Sequence, residues 1–257
     1  MKYLRGHFPI VNKRNLAKDV YELTIYSPDI VARAQPGQFV HIGLPGHSLR
    51  RPISICEIDQ EQNTFRLVFV VKGSGTRDLA EHSEHAALDI LGPLGHGFTL
   101  LNPDSRVLLI GGGIGVPPLV ELSHYYGRQA TVICGFRSQS SVILQECFKQ
   151  SGAQSFLCTD DGSAGIHGLV SKPMEEILAS GEAFDMIYSC GPMPMMKAVS
   201  EVAARYKVPC EVSLEQHMGC GIGACLVCTC QIRSGDNVEY QHVCKDGPVF
   251  NSQEVVW

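Results

Sequence analysis

The stretch RVLLIGGGIGVPPLVELSHYY, residues 106–126, decides the fold class, because it joins a buried strand to a helix through a glycine-rich loop. Pro117 and Pro118 stand where the first turn of a helix accepts proline. A turn of this kind brings the phosphates of a dinucleotide to a helix N-terminus. The usual glycine fingerprint is incomplete, since Val116 occupies the place of its last glycine. A purely structural turn between strand and helix is the alternative.

The alternation of strand and helix continues to residue 210. Further strands are predicted at QATVICGF (129–136), SFLCTDD (155–161) and FDMIYSCGP (184–192), and helices around SVILQECFKQ (141–150), LVSKPMEEILAS (169–180) and MPMMKAVSEVAARY (193–206). This order predicts a doubly wound parallel α/β sheet over residues 101–210. Its ligand crevice should lie beyond the carboxyl ends of the strands, where Gly112, Gly113 and the Cys190-Gly191-Pro192 turn stand. Asp160 or Asp161 could meet a ribose there, or be solvated turn residues.

Residues 1–100 have the pattern of an all-β domain. Short segments rich in β-branched and aromatic residues alternate with proline and glycine turns, at YELTIYSP (21–28), QFVHIGL (38–44), RPISICEI (51–58) and FRLVFVVK (65–72). Strands at this spacing predict a small antiparallel β-barrel or sandwich. Arg51 could clamp a pyrophosphate with its fork of donors, and the glycines of VVKGSGT (70–76) could cradle phosphate. Each motif alone is equally compatible with an ordinary surface strand.

Residues 211–257 form a cysteine-rich segment. Within HMGCGIGACLVCTC (217–230) the spacing is Cys220-x4-Cys225-x2-Cys228, and Cys244 follows after fifteen residues. This is the plant-type spacing of a [2Fe–2S] cluster. A zinc site and a reactive thiol cluster are the alternatives, and zinc is the less favoured because a second C-x2-C pair is missing from the sequence. Cys230 lies two residues beyond Cys228 on a predicted strand, so we expect it not to be a ligand.

Composition excludes several classes of protein. The net charge of −5 and the scattered basic residues give no electrostatic footprint for nucleic acid. The amino terminus lacks the apolar region of a secretory signal, and no apolar stretch reaches the roughly 20 residues that cross a bilayer. We therefore expect a cytoplasmic protein without membrane contact, whose remaining cysteines are thiols.

Four motifs in this order resemble the ferredoxin-reductase-like flavoproteins: RPIS (51–54), GSGT (73–76), GGGIG (111–115) and CGPMPMM (190–196). The carboxyl-terminal MGCGIGACLVCTC and KDGPVF segments are most similar to the electron-transfer subunits of type B, NAD-dependent dihydroorotate dehydrogenases. The resemblance implies an FAD-binding β-barrel domain at 1–100, an NAD-binding α/β domain at 101–210 and a [2Fe–2S] domain at 211–257.

The resemblance also implies a relay of electrons in pyrimidine biosynthesis. A separate FMN-containing catalytic subunit would oxidise dihydroorotate, and this chain would carry the electrons through [2Fe–2S] and FAD to NAD+. Two copies of each subunit are implied, with the dihydroorotate site on the partner and no catalytic residue in this chain. The residues that match the family's sites are Arg51, Pro52, Ile53, Ser54, Val68, Phe69, Val70, Gly75 and Thr76 for FAD, Gly112, Gly113, Cys190, Gly191 and Pro192 for NAD, and Cys220, Cys225, Cys228 and Cys244 for the cluster.

Two other functions fit the same motifs. One is the flavin and iron–sulfur subunit of another NAD(P)H oxidoreductase complex, such as a sulfide dehydrogenase or a ferredoxin:NADP reductase. The other is a redox sensor without catalytic turnover. The preference for NAD over NADP rests on the resemblance, since no arginine is clearly placed for a 2′-phosphate.

Overall fold

A computed structural model describes residues 3–257 and confirms the predicted fold class of barrel, parallel sheet and cysteine-rich segment. The strands and helices in chain order are β1 (Leu4–Ala17), β2 (Val20–Tyr26), α1 (Pro28–Val31), β3 (Phe39–Gly43), β4 (Arg51–Asp59), β5 (Thr64–Val70), α2 (Ser74–Glu81), β6 (Ala87–Leu94), β7 (Val107–Gly112), α3 (Val120–Tyr126), β8 (Ala130–Phe136), α4 (Gln145–Gln150), β9 (Gln154–Thr159), β10 (Ile166–His167), α5 (Ser171–Ala179), β11 (Met186–Cys190), α6 (Met193–Tyr206), β12 (Cys210–Ser213), β13 (Thr229–Ser234), β14 (Asn237–His242) and β15 (Val249–Asn251).

Strands β1 to β6 close into an antiparallel barrel in the order β1-β2-β5-β4-β3-β6. Side chains alternate across β3, so Val40 and Ile42 fill the barrel core. Phe39 and His41 face outward, and Phe39 packs in a second core that includes Cys228 and Cys244. The cysteine-rich segment therefore covers the outer face of β3.

The second sheet has the order β10-β9-β8-β7-β11-β12-β15 and is parallel except for β15, which runs antiparallel to β12. Its central strand β7 is buried along its whole length, as a strand covered on both faces should be. After β7 the chain makes two short 3₁₀ turns, Gly113–Gly115 and Pro117–Leu119, before α3 begins at Val120. The glycine loop thus lies at the carboxyl end of the central strand.

The carboxyl-terminal segment joins the parallel sheet. Strand β12 pairs with β11, and β15, which follows the last cysteine, returns to pair with β12. Between them β13 and β14 form a hairpin that turns at Gly235 and Asp236, with Gly235 in the left-handed region at φ 59°. The domain limits 1–100, 101–210 and 211–257 stay predictions, and the sheet runs across the last of them.

Every cysteine of the chain is a free thiol. None of the helices between residues 3 and 257 combines the length and the apolar character needed to cross a membrane.

Candidate functional site

A cavity of about 200 Å³ lies where the barrel meets the parallel sheet. It contains most of the residues predicted to hold FAD. From the barrel it is lined by Phe39, Pro52, Ile53, Ser54, Val68, Phe69, Val70, Lys72 and Thr76, and from the rest of the chain by Ile114, Pro117, Cys190, Ser213, Leu214, Glu215, Gln216, Met218 and Pro248. The structure therefore brings the predicted β4, β5 and α2 residues together at one concave site, and places Cys190 beside them.

The two remaining predicted residues, Arg51 and Gly75, adjoin this cavity. The Arg51 guanidinium lies over Gly75, so closely that a Cβ at Gly75 would collide with it. Arg51 Nη2 is 2.9 Å from His47 Nδ1, and Thr76 Oγ1 accepts from the backbone N–H of Lys72 at 2.9 Å. An arginine fork held beside the first turn of α2 suits an anionic group such as a pyrophosphate.

Two further cavities open around the glycine loop. One, of about 330 Å³, is lined by Gly112, Gly113 and Pro192 together with Arg137 and Asp160. The other, of about 350 Å³, is lined by Gly112, Gly113, Gly191 and Pro192. Four of the five residues predicted for NAD thus meet at the carboxyl ends of β7 and β11.

Lys72, Ile114 and Glu215 line both the barrel-side cavity and the 350 Å³ cavity. They mark the junction where a flavin and a dinucleotide would meet. Sequence reasoning did not select any of the three: Lys72 and Ile114 lie inside the VVKGSGT and GGGIG motifs but are not their characteristic residues, and Glu215 lies outside every motif. Only the fold reveals that residues 72, 114 and 215 face one point.

The four predicted cluster ligands form two neighbouring pairs of thiols. Cys225 Sγ lies 3.4 Å from Cys220 Sγ, and the side chain of Cys228 is hydrogen-bonded to that of Cys244. The first pair is partly exposed and the second is buried. Within residues 3–257, no group of three or more histidine, cysteine, aspartate or glutamate side chains is close enough to hold a metal ion as it stands.

The backbone of the loop points toward the sulfur atoms. The N–H groups of Ile222 and Ala224 donate to Cys220 Sγ at 3.4 and 3.2 Å, and Gly223 donates to Cys244 Sγ at 3.2 Å. Gly223 takes a left-handed conformation, φ 77°, that glycine adopts without strain. Burial alone would raise the pKa of Cys220, but these donors and Cys225 outweigh it and lower the pKa to about 6. These contacts therefore favour the thiolate of Cys220, the form that binds metal, whereas burial, and next the hydrogen bond with Cys228, raises the pKa of Cys244 to about 12.

Cys230 lies apart from these pairs, on β13. Its thiol faces the carbonyl oxygen of Gln241 on the neighbouring strand at 3.6 Å. Burial, and next the proximity of Cys228, raises its pKa to about 11. This placement agrees with its expected absence from the ligand set, which stays a prediction.

His41 is a buried polar residue that sequence reasoning missed. Its side chain is fully buried, and a Cβ built on Gly221 would lie 2.5 Å from its Nδ1 atom. Neither ring nitrogen has a hydrogen-bond partner among residues 3–257. Burial, and next the charge of Arg50, lowers its pKa to about 4. A histidine in an alternating strand gives no sequence signal for such a position.

The thiols and the barrel-side cavity share their packing. Phe39 and Met218 line the cavity and belong to the same hydrophobic core as Cys228 and Cys244. Pro248, from the KDGPVF segment, also lines the cavity. The cysteine-rich segment therefore contributes walls to the cavity that holds the predicted flavin residues.

Two kinds of comparison with known proteins agree with this site. Residues 215–256 match the iron–sulfur cluster binding domain of dihydroorotate dehydrogenase B. A Bacillus cereus protein named as the electron transfer subunit of dihydroorotate dehydrogenase B (NAD(+)) is 42% identical in an alignment 257 positions long. The alignment covers 96% of this chain and 96% of that one. A Bacillus anthracis protein of the same name is 41% identical with the same coverage.

Solved structures share the fold. A chain of an NADH-dependent reduced ferredoxin-NADP oxidoreductase, described for flavin-based electron bifurcation, superimposes with a TM-score of 0.88 and 32% identity, covering 98% of this chain and 90% of that one. A ferredoxin reductase of carbazole 1,9a-dioxygenase has a TM-score of 0.68 and 22% identity, covering 80% of this chain and 67% of that one, which shows the fold alone. Together with the near-complete match to the Bacillus proteins, these findings confirm the resemblance seen in the sequence: the chain belongs to the family of electron transfer subunits of dihydroorotate dehydrogenase B (NAD(+)).

Proposed function

We propose that this chain transfers electrons between an FMN-containing catalytic subunit, which oxidises dihydroorotate, and NAD+. When bound, a [2Fe–2S] cluster exchanges single electrons, and FAD combines two of them into a hydride for nicotinamide. The names of the Bacillus relatives support the partner and the acceptor. The chain itself supplies binding and orientation.

We assign the cluster to Cys220, Cys225, Cys228 and Cys244. Their two pairs of sulfurs and the N–H groups aimed at Cys220 and Cys244 are the donor chemistry that an iron–sulfur cluster requires. The alternative of one tetrahedral zinc ion has less support, because a second C-x2-C pair is missing from the sequence.

We assign FAD to the cavity between the barrel and the sheet, with its pyrophosphate beside Arg51 and Gly75. NAD is assigned to the glycine loop around Gly112 and Gly113, and its nicotinamide end to the junction near Cys190. An apolar wall on β5 and polar atoms on Ser54 and Thr76 give this cavity the mixed lining typical of cofactor sites.

One observation carries the proposal: the thiols and the FAD cavity have a common wall. Phe39 and Met218 line the cavity and belong to the hydrophobic core that contains Cys228 and Cys244, and residue 218 precedes the first proposed ligand by two positions. A cluster held by these thiols and a flavin in the cavity would therefore be separated by packed protein rather than by solvent. A redox sensor without turnover would not need a dinucleotide cavity joined to the same site.

We place the catalytic subunit on the outer side of the cysteine loop. Leu226 and Val227 lie in the sequence between the ligands Cys225 and Cys228, and they are 76% and 54% exposed. Ile222 is exposed beside them. Apolar side chains around the thiols would be covered by a partner that delivers electrons there. The dihydroorotate site then lies on that partner, in an assembly of two copies of each chain.

A second candidate is the corresponding subunit of a ferredoxin–NADP oxidoreductase complex, which the 32% identity to such a structure favours. The two candidates differ in the partner and its substrate. The dihydroorotate assignment has the higher identity, 42%.

The test is co-expression of this chain with a dihydroorotate dehydrogenase catalytic subunit from the same source. The complex should co-purify, contain FAD, FMN, iron and sulfide, and reduce NAD+ when dihydroorotate is added. A complex that instead couples ferredoxin to NADP+ and ignores dihydroorotate supports the second candidate. A colourless protein that contains zinc contradicts both.

The free thiols agree with a reducing, cytoplasmic location, which a fractionation experiment would check.

A further inference from the structure

His41 occupies the wall between the flavin-binding strand and the cysteine loop. On β3 it pairs with Pro52 of the RPIS motif, and its neighbour on the same face, Phe39, lines the FAD cavity. On the other side its Nδ1 atom abuts Gly221, which follows the ligand Cys220. His41 therefore lies between the strand that pairs with the flavin motif and the loop that carries Cys220.

The side chains around the His41 ring provide no hydrogen-bond acceptor for its imidazole N–H group. Both nitrogens are buried, and neither forms a hydrogen bond within residues 3–257. The adjacent Arg50 is already bound, with Nη2 2.5 Å from Asp89 Oδ2 and Nη1 3.1 Å from the His41 carbonyl oxygen. A guanidinium has no acceptor, so it cannot take the N–H of an imidazole.

An unpaired donor at full burial needs an explanation, because buried polar groups are nearly always hydrogen-bonded. The remaining acceptors that face the ring belong to the backbone of Cys220 and of Arg50. Cys220 is the ligand whose sulfur already receives two backbone N–H groups. One of the two acceptors that face His41 thus belongs to the cluster-binding loop, and the close approach of Nδ1 to Gly221 sets the ring against that same segment.

We propose that His41 is a positioning residue for the cluster: its imidazole N–H donates to the Cys220 segment of the loop, fixes that ligand against β3 and raises the reduction potential of the cluster. The inference rests on the proposed function, since it requires the cluster to be present. An N–H dipole that points toward a ligand segment stabilises the reduced form of a cluster, which carries more negative charge, even where the N–H binds a backbone oxygen beside the sulfur and orients the ligand from the outer shell. A ring that only fills space would have no such effect.

The experiment compares His41→Leu, which removes the donor at similar size, with His41→Gln, which keeps an N–H. His96→Leu is the matched control, because His96 is exposed yet lies in the barrel loop whose backbone contacts Gly247. Iron, sulfide and FAD are quantified first, and the cluster potential is then measured by an EPR-monitored redox titration. We expect His41→Leu to reduce the equilibrium constant for cluster reduction about tenfold, equivalent to about 59 mV for one electron. His41→Gln should recover part of that loss, and His96→Leu should match the parent.

A His41→Leu protein that carries its cluster at the parent potential overturns the inference. If that variant does not fold, pulsed EPR of the parent with ¹⁵N-labelled histidine decides the matter. A ¹⁵N hyperfine coupling between the reduced cluster and a histidine that persists in His217→Gln and His242→Gln but is lost in His41→Gln supports the inference. The absence of this coupling from the parent overturns it. A protein purified without iron and sulfide contradicts the proposed function instead, so the two failures are distinguishable.

Discussion

His124 Nδ1 on α3 lies 3.0 Å from Glu57 Oε1 on β4, so the helix after the glycine loop is paired directly with the barrel. The other carboxylate oxygen of Glu57 is 2.5 Å from Arg66 Nε. One turn earlier on α3, Glu121 accepts the backbone N–H of Ile58 at 2.8 Å. These contacts fix the orientation of the sheet against the barrel, on which the shape of the cavity between them depends.

This ion pair predicts a pH-dependent stability. The pKa of His124 is raised, chiefly by its hydrogen bond to Glu57, although burial acts against it. A raised pKa means that the protonated form favours the folded state, so the contribution is complete below about pH 6.5 and is lost as pH rises through the folded value. Because the pair is partly exposed, its size should be at most about 1 kcal/mol.

The measurement is thermal unfolding of the flavin-loaded chain at pH 6 and pH 9. His124→Gln should lower the melting temperature at pH 6 and match the parent at pH 9. The groups that face His124 are Glu57, Glu121 and the backbone of Cys147. His7→Gln, an exposed position on β1, is the control and should have no effect at either pH. An equal loss at both pH values would show that the ring acts by packing.

Local patterns predicted much of this fold. The helix expected at MPMMKAVSEVAARY is α6, Met193–Tyr206, because its apolar residues recur at helical spacing and a proline stands in its first turn. The strands that carry RPIS (β4) and FRLVFV (β5) could also be predicted, because each is a short run rich in β-branched and aromatic residues between turns. The cluster ligands are a prediction from spacing alone, which was possible because three of the four predicted cysteines lie on one loop.

Contacts between segments far apart in the chain could not be predicted from local sequence patterns. No local pattern tells that β12 and β15 extend the parallel sheet, or that Lys72 and Glu215 meet beside the cavity. His41 is the clearest case, since its burial depends on a loop that lies 180 residues further along the chain. Such positions are set by packing between segments, which periodicity does not encode.

The ligand assignment predicts opposite outcomes for two neighbouring cysteines. Cys225→Ser should abolish the cluster and the electron transfer to the partner, because one sulfur of an exposed pair is lost. NADH should still reduce the FAD of this variant, since the flavin cavity contains no part of Cys225. Cys230→Ser should keep its iron, as its thiol faces Gln241. Iron content and the EPR spectrum check both, and loss of iron in the Cys230 variant alone would reject the assignment.

Gly221 is predicted to tolerate no side chain. Its φ is 73°, and a Cβ would lie 2.5 Å from His41 Nδ1, so Gly221→Ala combines backbone strain with a collision. Gly235→Ala is the matched control, because Gly235 has a similar φ of 59° with open space around it. Both should cost about 1–2 kcal/mol for the left-handed backbone. We expect only Gly221→Ala to lose iron and sulfide, and equal iron contents in the two variants would contradict the close contact with His41.

The glycine loop offers a test of the dinucleotide site. A Cβ at Gly115 would lie 2.5 Å from both the Cys190 carbonyl oxygen and the Gly191 Cα, and backbone atoms cannot move aside as a side chain can. Gly115→Ala should therefore push the Cys190-Gly191-Pro192 turn away from the loop and raise the KM for NADH about tenfold, or about 1.4 kcal/mol of binding. FAD content should be retained, because the cavity lining on β4 and β5 is untouched.

Gly113→Ala separates this packing effect from backbone strain. Gly113 lies two residues earlier at φ 54°, and a Cβ there meets nothing within 4 Å. Its substitution should lower stability by about 1–2 kcal/mol through the left-handed backbone alone. We expect a smaller change in KM than for Gly115→Ala when NADH-dependent reduction of FAD is followed by the loss of flavin absorbance. The reverse order would mean that a side chain at Gly113, which lines both cavities around the glycine loop, obstructs NADH more than displacement of the Cys190-Gly191-Pro192 turn does.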